Sequence, residues 1–317
     1  MKSIASAPGK VILFGEHFIV YGVKAILCSI NKRIVATSRL LDERKVKIRS
    51  VLGDAELDID CLSELDAVTS RFMKPFFYIA KNALEDYGKD KGIEIVLESQ
   101  IPAGIGLGSS SAACVAVTAS VNGLFVRLSK QEVVKKAIEA ERIIFKETPG
   151  ADTSVSTFGG LMLYDPNSGF QEISSNNDLA FIIANSSQVH NTQEIVRQVR
   201  VFKEKNGNFF NQLCEKEAEI VNEALLALRK NDLKMLGLLM LKNQDLLQQI
   251  KVSTEKIDLL VREAKKTSYG AKLTGAGRGG CIISLVDNSN STTTIDNLKK
   301  KSDCFPVKID YQGLLYI

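Results

Sequence analysis

Residues 92–128 read GIEIVLESQIPAGIGLGSSSAACVAVTASVNGLFVRL. The alternation in GIEIVLES predicts a strand, IPAGIGLGSSS a glycine-rich turn, and the apolar run that follows a long helix. Gly104, Gly106 and Gly108 precede Ser109, Ser110 and Ser111, which open that helix. Glycines let backbone N–H groups come close to an anion, and a helix start offers unpaired donors and the positive end of its dipole. The segment reads as a phosphate cradle and, equally well, as a plain turn with a serine cap. It is not a Walker A loop, because no lysine follows the last glycine. It also misses the dinucleotide fingerprint, because Ser109 stands where a third glycine belongs.

Outward from this unit, residues 1–60 alternate β-rich runs (VILF, FIVYG, RIVATSRL, KVKIRSV) with turn residues and predict a sheet of hairpins, followed by a helix over 72–87. A second helix is expected over 130–146, and GGLMLYD closes the first half as a strand. The segment DPNSGFQEISSNND, residues 165–178, concentrates turn formers and marks a boundary. The expected domains are therefore 1–178 and 179–317. The second half opens with a strand over 179–185 and continues with helical patterns over 192–205, 209–250 and 257–267. It ends strand-rich, in GAKLTG, GGCIISLV and CFPVKIDYQGLLYI, with a helix near Ile295. Helices and strands fall in blocks, which favours an α+β class over a doubly wound parallel sheet.

A length of 317 residues fits two domains with ample core. Forty-one Lys plus Arg against 37 Asp plus Glu leaves +4, and 45% hydrophobic with 25% charged residues is an ordinary globular balance. So small and dispersed an excess gives no reason to expect nucleic acid or a membrane as partner. The run Lys299, Lys300, Lys301 reads as a solvated helix end. The uncharged stretch 106–126 contains serines, Thr118, Asn122 and several glycines and alanines, and reads as a buried helix rather than a membrane span. Six cysteines lie far apart with no Cys-x-x-Cys pair, and the opening MKSIASAPGKVILFG lacks the pattern of a signal peptide. Reduced, buried thiols in a cytoplasmic protein are expected. Two histidines, His17 and His190, are too few for a structural zinc site.

Two further segments bear on chemistry. In KLTGAGRGGC, residues 272–281, Gly275, Gly277 and Gly280 fit Gly-x-Gly-x-x-Gly, but a β run follows instead of the helix that the dinucleotide fold requires. A tight glycine loop between strands remains. On the helix over 130–146, Glu141 falls on the apolar side with Val133, Val134, Ala137, Ile138 and Ile144. An inward carboxylate costs several kcal/mol, roughly, unless a cation or hydrogen-bond donors meet it, so it pairs with Lys, Arg or a metal ion. Asp152 lies in TPGADTSVSTFGG, which reads as a polar loop in which an Asp before hydroxyl residues is by itself a helix cap. Lys10 and Glu16 flank VILF, with His17 next.

Taken together, APGKVILFGEHFIVYG (residues 7–22), IPAGIGLGSSSAA (101–113) and KLTGAGRGGC resemble, in order and spacing, the three motifs of the GHMP kinases. The Gly-Glu-His followed by Val-Tyr-Gly, and the pairing of EAERIIF with PGADTSVSTFGG, are similar to the branch that phosphorylates mevalonate. The resemblance implies an N-terminal domain of the ribosomal-protein S5 domain 2 type and a C-terminal α+β, ferredoxin-like domain. It implies transfer of the ATP γ-phosphoryl group to the 5-hydroxyl of mevalonate, with Mg²⁺. Carried over position by position, Pro102, Gly104, Gly106, Leu107, Gly108 and Ser109 to Ser111 would hold the triphosphate, with Gly275 and Gly277 beside it. Ser110 and Glu141 would hold Mg²⁺. Asp152 would accept the hydroxyl proton, Lys10 would stabilise the alkoxide, and Glu16, His17 and Thr192 would line the mevalonate site. Where members often carry a basic residue in the turn reading VHNT, this chain has His190, which leaves Arg197 or Arg200 to meet the substrate carboxylate. Ser111 replaces the usual alanine and leaves open which hydroxyl meets the metal. The alternatives are another GHMP small-molecule kinase, for phosphomevalonate or a sugar, and an inactive nucleotide-binding regulator. A homodimer is compatible with the resemblance.

Overall fold

The computed structural model describes residues 1–62, 70–87, 91–102, 104–146, 148–174, 179–189 and 191–317. Two long strands, β1 (Lys2–Phe14) and β2 (Ala25–Leu41), pair antiparallel, and β3 (Lys45–Ser50) and β4 (Gly53–Asp58) form a hairpin. After α1 (Lys74–Tyr87) come β5 (Gly92–Ser99), α2 (Ser109–Asn122), α3 (Lys130–Arg142), α4 (Ala151–Phe158), β6 (Leu161–Asp165) and β7 (Gly169–Glu172). The second half runs β8 (Ala180–Asn185), α5 (Thr192–Lys205), α6 (Gly207–Lys230), α7 (Leu233–Gln249), α8 (Glu255–Lys265), β9 (Gly270–Thr274), β10 (Cys281–Val286), α9 (Ser291–Lys299), β11 (Cys304–Lys308) and β12 (Leu315–Tyr316). The first sheet has the order β12-β1-β2-β5-β3-β4, with β6 on β2 and β7 on β6; the second has the order β11-β8-β10-β9. The α+β expectation holds.

The helix that opens with the serines is the centre of the first half. From Ser111 to Asn122 every residue of α2 is buried, because β1 and β2 lie on one side and α1, α3 and α4 surround the rest. A helix enclosed all round needs no polar face, which explains the uncharged run. Some of its few polar groups pair locally: the Ser38 and Ser120 hydroxyls meet at 2.8 Å, and Asn122 Nδ2 donates to the Thr118 carbonyl at 2.8 Å, whereas Thr118 Oγ1 and Asn122 Oδ1 have no partner. The helix stops at Asn122, short of the expected run to residue 128. Gly123 ends it, and a Cβ at that position would fall 2.3 Å from Ser3 Oγ on β1.

Three expectations change. The segment TPGADTSVSTFGG, read as a loop, is the helix α4, with residues 153–157 buried; packing on α2 and α3 overrides the weak helix propensity of Ser and Thr. The turn-rich segment 165–178 contains β7, whose Glu172 sits opposite Met162 of β6. Residues 175–178, where the expected boundary falls, lie outside the described residues. Finally, the cysteines are all free, but only Cys28, Cys114 and Cys281 are buried, whereas Cys61 is exposed. Among the described residues, no helix is long and apolar enough to cross a membrane.

The end of the chain returns to the first sheet, where Ala5 pairs with Tyr316. Just before it, residues 310–314 clasp the end of α4. The Asp310 carbonyl accepts from Gly160 N–H at 2.8 Å and from the Ser29 hydroxyl at 2.6 Å, and Leu314 N–H donates to the Thr157 carbonyl at 2.9 Å. Arg33 on β2 secures the clasp. It ion-pairs with the buried Asp310 carboxylate and donates through Nη2 to the Ser6 carbonyl at 3.0 Å and the Gly313 carbonyl at 2.5 Å. Removing one partner of a buried pair strands the other charge. Arg33→Met should therefore lower unfolding free energy by about 3 kcal/mol, read as a lower urea midpoint; an unchanged midpoint would contradict this account of the clasp.

Candidate active site

Lys10 lies on β1 where that strand passes beneath the first glycine loop. Its N–H donates to the Leu107 carbonyl at 2.9 Å, and its Nζ lies 3.0 Å from Asp152 Oδ2. The approach is close enough to require glycine. A Cβ on Gly108, which has φ 71°, would sit 2.7 Å from Lys10 Cγ, and one on Gly9 would sit 2.8 Å from the Leu107 carbonyl oxygen. Asp152 occupies the first turn of α4, where the helix dipole favours a negative charge. Lys10 is almost fully enclosed, while about a third of the Asp152 side chain faces solvent (5% and 35% exposed). The pair sets a partly exposed carboxylate beside an enclosed ammonium under the first glycine loop.

Glu141 is buried behind this pair, as its place on the apolar side of α3 requires. It accepts hydrogen bonds from Ser111, from Thr153 Oγ1 at 2.7 Å and from Thr148 Oγ1 at 3.3 Å. Among the described residues, no lysine or arginine forms an ion pair with it. Burial, reinforced by the Asp152 charge, pushes its carboxyl above the usual range. A carboxylate whose hydrogen-bond partners are hydroxyl groups, with a second carboxylate nearby, is a donor set suited to a hard divalent ion such as Mg²⁺. The hydroxyl that reaches Glu141 is that of Ser111; Ser109 and Ser110 stay half-buried at the helix start.

The turn after β1 carries Glu16 and His17 into the seam between the two sheets. Glu16 is expected at the substrate surface, but its side chain is fully enclosed and ion-paired with the equally enclosed Lys272 of β9. Burial pushes Glu16 up and Lys272 down, each toward its neutral form, and their mutual attraction opposes both shifts. His17, with φ 61°, donates through Nε2 to the Ala276 carbonyl at 2.8 Å, which leaves Nδ1 as an acceptor. Desolvation lowers its pKa to about 4. Thr274 Oγ1 ties the same seam, accepting from Ile12 N–H and donating to its carbonyl, both at 3.0 Å.

The two glycine loops thereby come face to face. A Cβ on Gly275 would lie 3.6 Å from the Gly106 carbonyl oxygen, and one on Gly277 would strike the Val252 carbonyl at 2.3 Å. Pro102 and Gly104 are exposed at the outer lip, and Leu107 is buried beneath it. Thr192 is exposed in the first turn of α5, whose cap is Asn191, and among the described residues it makes no hydrogen bond to the Lys10 cluster. Arg197 is held by Glu194 through Nε at 2.8 Å and Nη2 at 2.7 Å, and Arg200 is exposed. His190 lies outside the described residues.

Sequence reasoning did not single out Lys272, Glu217, Thr148 or Thr153. Glu217 could have been found by the signal that revealed Glu141. It lies on the same α6 stripe as Phe210, Leu213, Ile220, Val221 and Ala224, at three- and four-residue spacing, and is fully buried.

A family model described as GHMP kinases N terminal domain matches residues 75–160, and one described as GHMP kinases C terminal matches residues 224–303. The chain is 34% identical over 305 residues to a mevalonate kinase of Pyrococcus furiosus, covering 91% of this chain and 90% of that protein. It superposes on the crystal structure of the Methanococcus jannaschii mevalonate kinase with TM-score 0.86 at 27% identity, over 97% of this chain and 98% of the other. For the L. major mevalonate kinase in complex with R-mevalonate the TM-score is 0.79 at 26% identity, over 99% and 96%.

The enclosed His17 has a measurable signature. With a folded-state pKa of about 4 against an ordinary 6.5, the unfolded chain binds the proton more readily, so this group's contribution to stability falls as pH drops from about 6.5 toward 4. The His17 imidazole should show no NMR titration shift in the native protein until pH approaches about 4. A midpoint near 6.5 would place the ring in solvent.

Proposed function

The chain belongs to the GHMP kinase family, and from that premise we propose that it is an ATP-dependent phosphotransferase acting on the 5-hydroxyl of mevalonate. What carries the reading is the Lys10–Asp152 pair at 3.0 Å, set between the start of α2 and the uncompensated Glu141. The similarity to mevalonate kinases over about nine-tenths of the chain supports the choice of substrate.

Phosphoryl transfer asks little covalent help of a protein and much positioning and charge neutralisation. The free N–H groups at the start of α2 and the glycine loop of residues 104–108 bind the triphosphate, with Gly275 and Gly277 opposite. A primary alcohol is far too weak an acid to ionise near neutral pH, so Asp152 removes its proton only as the new bond forms. The O–H bond breaks toward Asp152 and the oxygen bonds to the γ-phosphorus. The bond to the β-phosphate oxygen then opens, releasing ADP. Lys10 stabilises the developing charge on the acceptor oxygen and, 3.0 Å from Asp152 Oδ2, holds that carboxylate in position. Glu141, with the hydroxyls of Ser110 and Ser111, would hold Mg²⁺, which supplies charge neutralisation on the phosphates. Its arrival would also satisfy a carboxylate that burial and Asp152 otherwise push toward protonation. His17 offers its Nδ1 lone pair to a substrate hydroxyl, Thr192 adds a second polar contact, and Glu16 orients the turn from beneath.

ADP release with purified protein, ATP, Mg²⁺ and mevalonate tests the assignment. Turnover of a related alcohol but not mevalonate would reject the substrate, and ATP binding without turnover of any alcohol would mark a regulator. Asp152→Asn should retain ATP affinity and lose kcat by at least ~100-fold, the scale of a lost general base; full activity would remove Asp152 from that role. Glu141→Gln should shift the Mg²⁺ titration of activity to higher concentration, and an unchanged titration would return Glu141 to a structural part.

A further inference from the structure

We propose that Glu217 is a carboxylic acid rather than a carboxylate in the working protein, and that it is a positioning residue: its proton lets it hold the Gly15–His17 turn without drawing Lys272 away from Glu16. The proposal deepens the reading of that turn as part of the alcohol site and rests on it.

The geometry begins with enclosure. Glu217 is fully buried on α6, with Oε1 accepting the Gly15 N–H at 2.7 Å and Oε2 lying 2.5 Å from the side-chain amide of Asn243 on α7. Gly15 has φ 96°, and a Cβ there would fall 2.6 Å from the Ala25 Cβ, so the turn has no slack on its other side. The Glu217 contact is what fixes the first residue of the segment that carries Glu16 and His17.

Charge balance then assigns the proton. The groups that bear on Glu217 are Glu16 from the turn after β1 and Lys272 from β9, with the thiol of Cys214 one turn earlier on α6. Asn243 is neutral. The Phe18–Tyr21 turn and α5 present rings to α6, where Phe18, Tyr21 and Phe202 surround Phe210, and Lys203 lies over the Tyr21 ring. Lys10 is matched by Asp152 and Lys272 by Glu16. An ionised Glu217 would therefore be a second anion beside Glu16, with one lysine for both, in a place water does not reach. Such a charge is avoided by neutralisation.

The amide contact is compatible with that proton: the Asn243 side chain carries both a donor and an acceptor, so it can pair with Glu217 in either protonation state. Desolvation, reinforced by Glu16, raises the Glu217 pKa to about 8.

The sign of the effect follows. The proton is held below about pH 8 and lost above it, when a second carboxylate begins to compete for Lys272 and the turn slackens. The folded state binds this proton more tightly than the unfolded one, so the contribution to stability falls as pH rises from about 4.5 to 8.

Glu217→Gln is the decisive variant, because an amide reproduces the acceptor toward Gly15 and the donor toward Asn243. In the wild-type protein, KM for mevalonate should rise several-fold as pH passes about 8, with kcat changing less. In E217Q this rise in KM should be absent, and its melting temperature should gain on the wild type as pH increases. Infrared difference spectra should show a protonated carboxyl band at neutral pH that vanishes above pH 8 and is missing in E217Q. A structural carboxylate predicts the reverse: no such band, identical alkaline limbs, or an E217Q protein that fails to fold at neutral pH. Any of these overturns the proposal. The infrared and folding readouts do not depend on the alcohol used, so a protein that leaves mevalonate untouched but shows the band would sink the substrate and keep the proton.

Discussion

Charge withdrawn from water has to be neutralised where it stands, and that constraint organises the seam between the two sheets. Lys10 meets Asp152 at 3.0 Å, Lys272 meets Glu16, and Glu217 meets a neutral amide. Glu141 alone of these carboxylates is met only by hydroxyls. Three acids thus meet a lysine or an amide, and Glu141 meets hydroxyls alone. The settled pairs are of little value as stability terms, since desolvation offsets most of the attraction. They serve instead to fix geometry, because a buried ion pair tolerates few arrangements.

The strand β1 is what brings these groups to one place. It contributes Lys10 from its middle and Glu16 from the turn at its end, and it touches the second half through Ile12 and Thr274. Glycines at positions 9 and 108 allow it to lie against the Leu107 carbonyl and let the Lys10 stem fit beneath the loop. No flexible arm is therefore needed to bring Lys10 and Asp152 together. Both stand on regular elements, which suits a reaction whose main demand is alignment.

Much of this was legible in the chain itself. The strand, loop and helix around Gly104 to Gly108 appear where the alternation and the apolar run place them, and the inward Glu141 follows from helical spacing. What escaped had physical reasons. The hydroxyl-rich segment of α4 has weak intrinsic preference for helix and is held by packing from α2 and α3. Lys272 sits in a five-residue strand buried throughout, where no alternation distinguishes a functional side chain from its neighbours. The partner of a buried lysine, moreover, comes from a residue more than two hundred and fifty positions away. Local pattern cannot carry that information. Glu217 was within reach, because its stripe on α6 has the same form as that on α3.

The clasp made by residues 310–314 has a consequence for biosynthesis. Chains are made from the N terminus, so β1, β2 and α4 leave the ribosome well before Asp310 and Leu314 exist. Until they do, Arg33 has no carboxylate and the final turn of α4 has no cover. The helix bearing Asp152 thus becomes fully seated only after the entire second sheet has been synthesised. Nascent chains hold Lys10 and Asp152 without this support, and a translation stall would leave Asp152 on an unsecured helix.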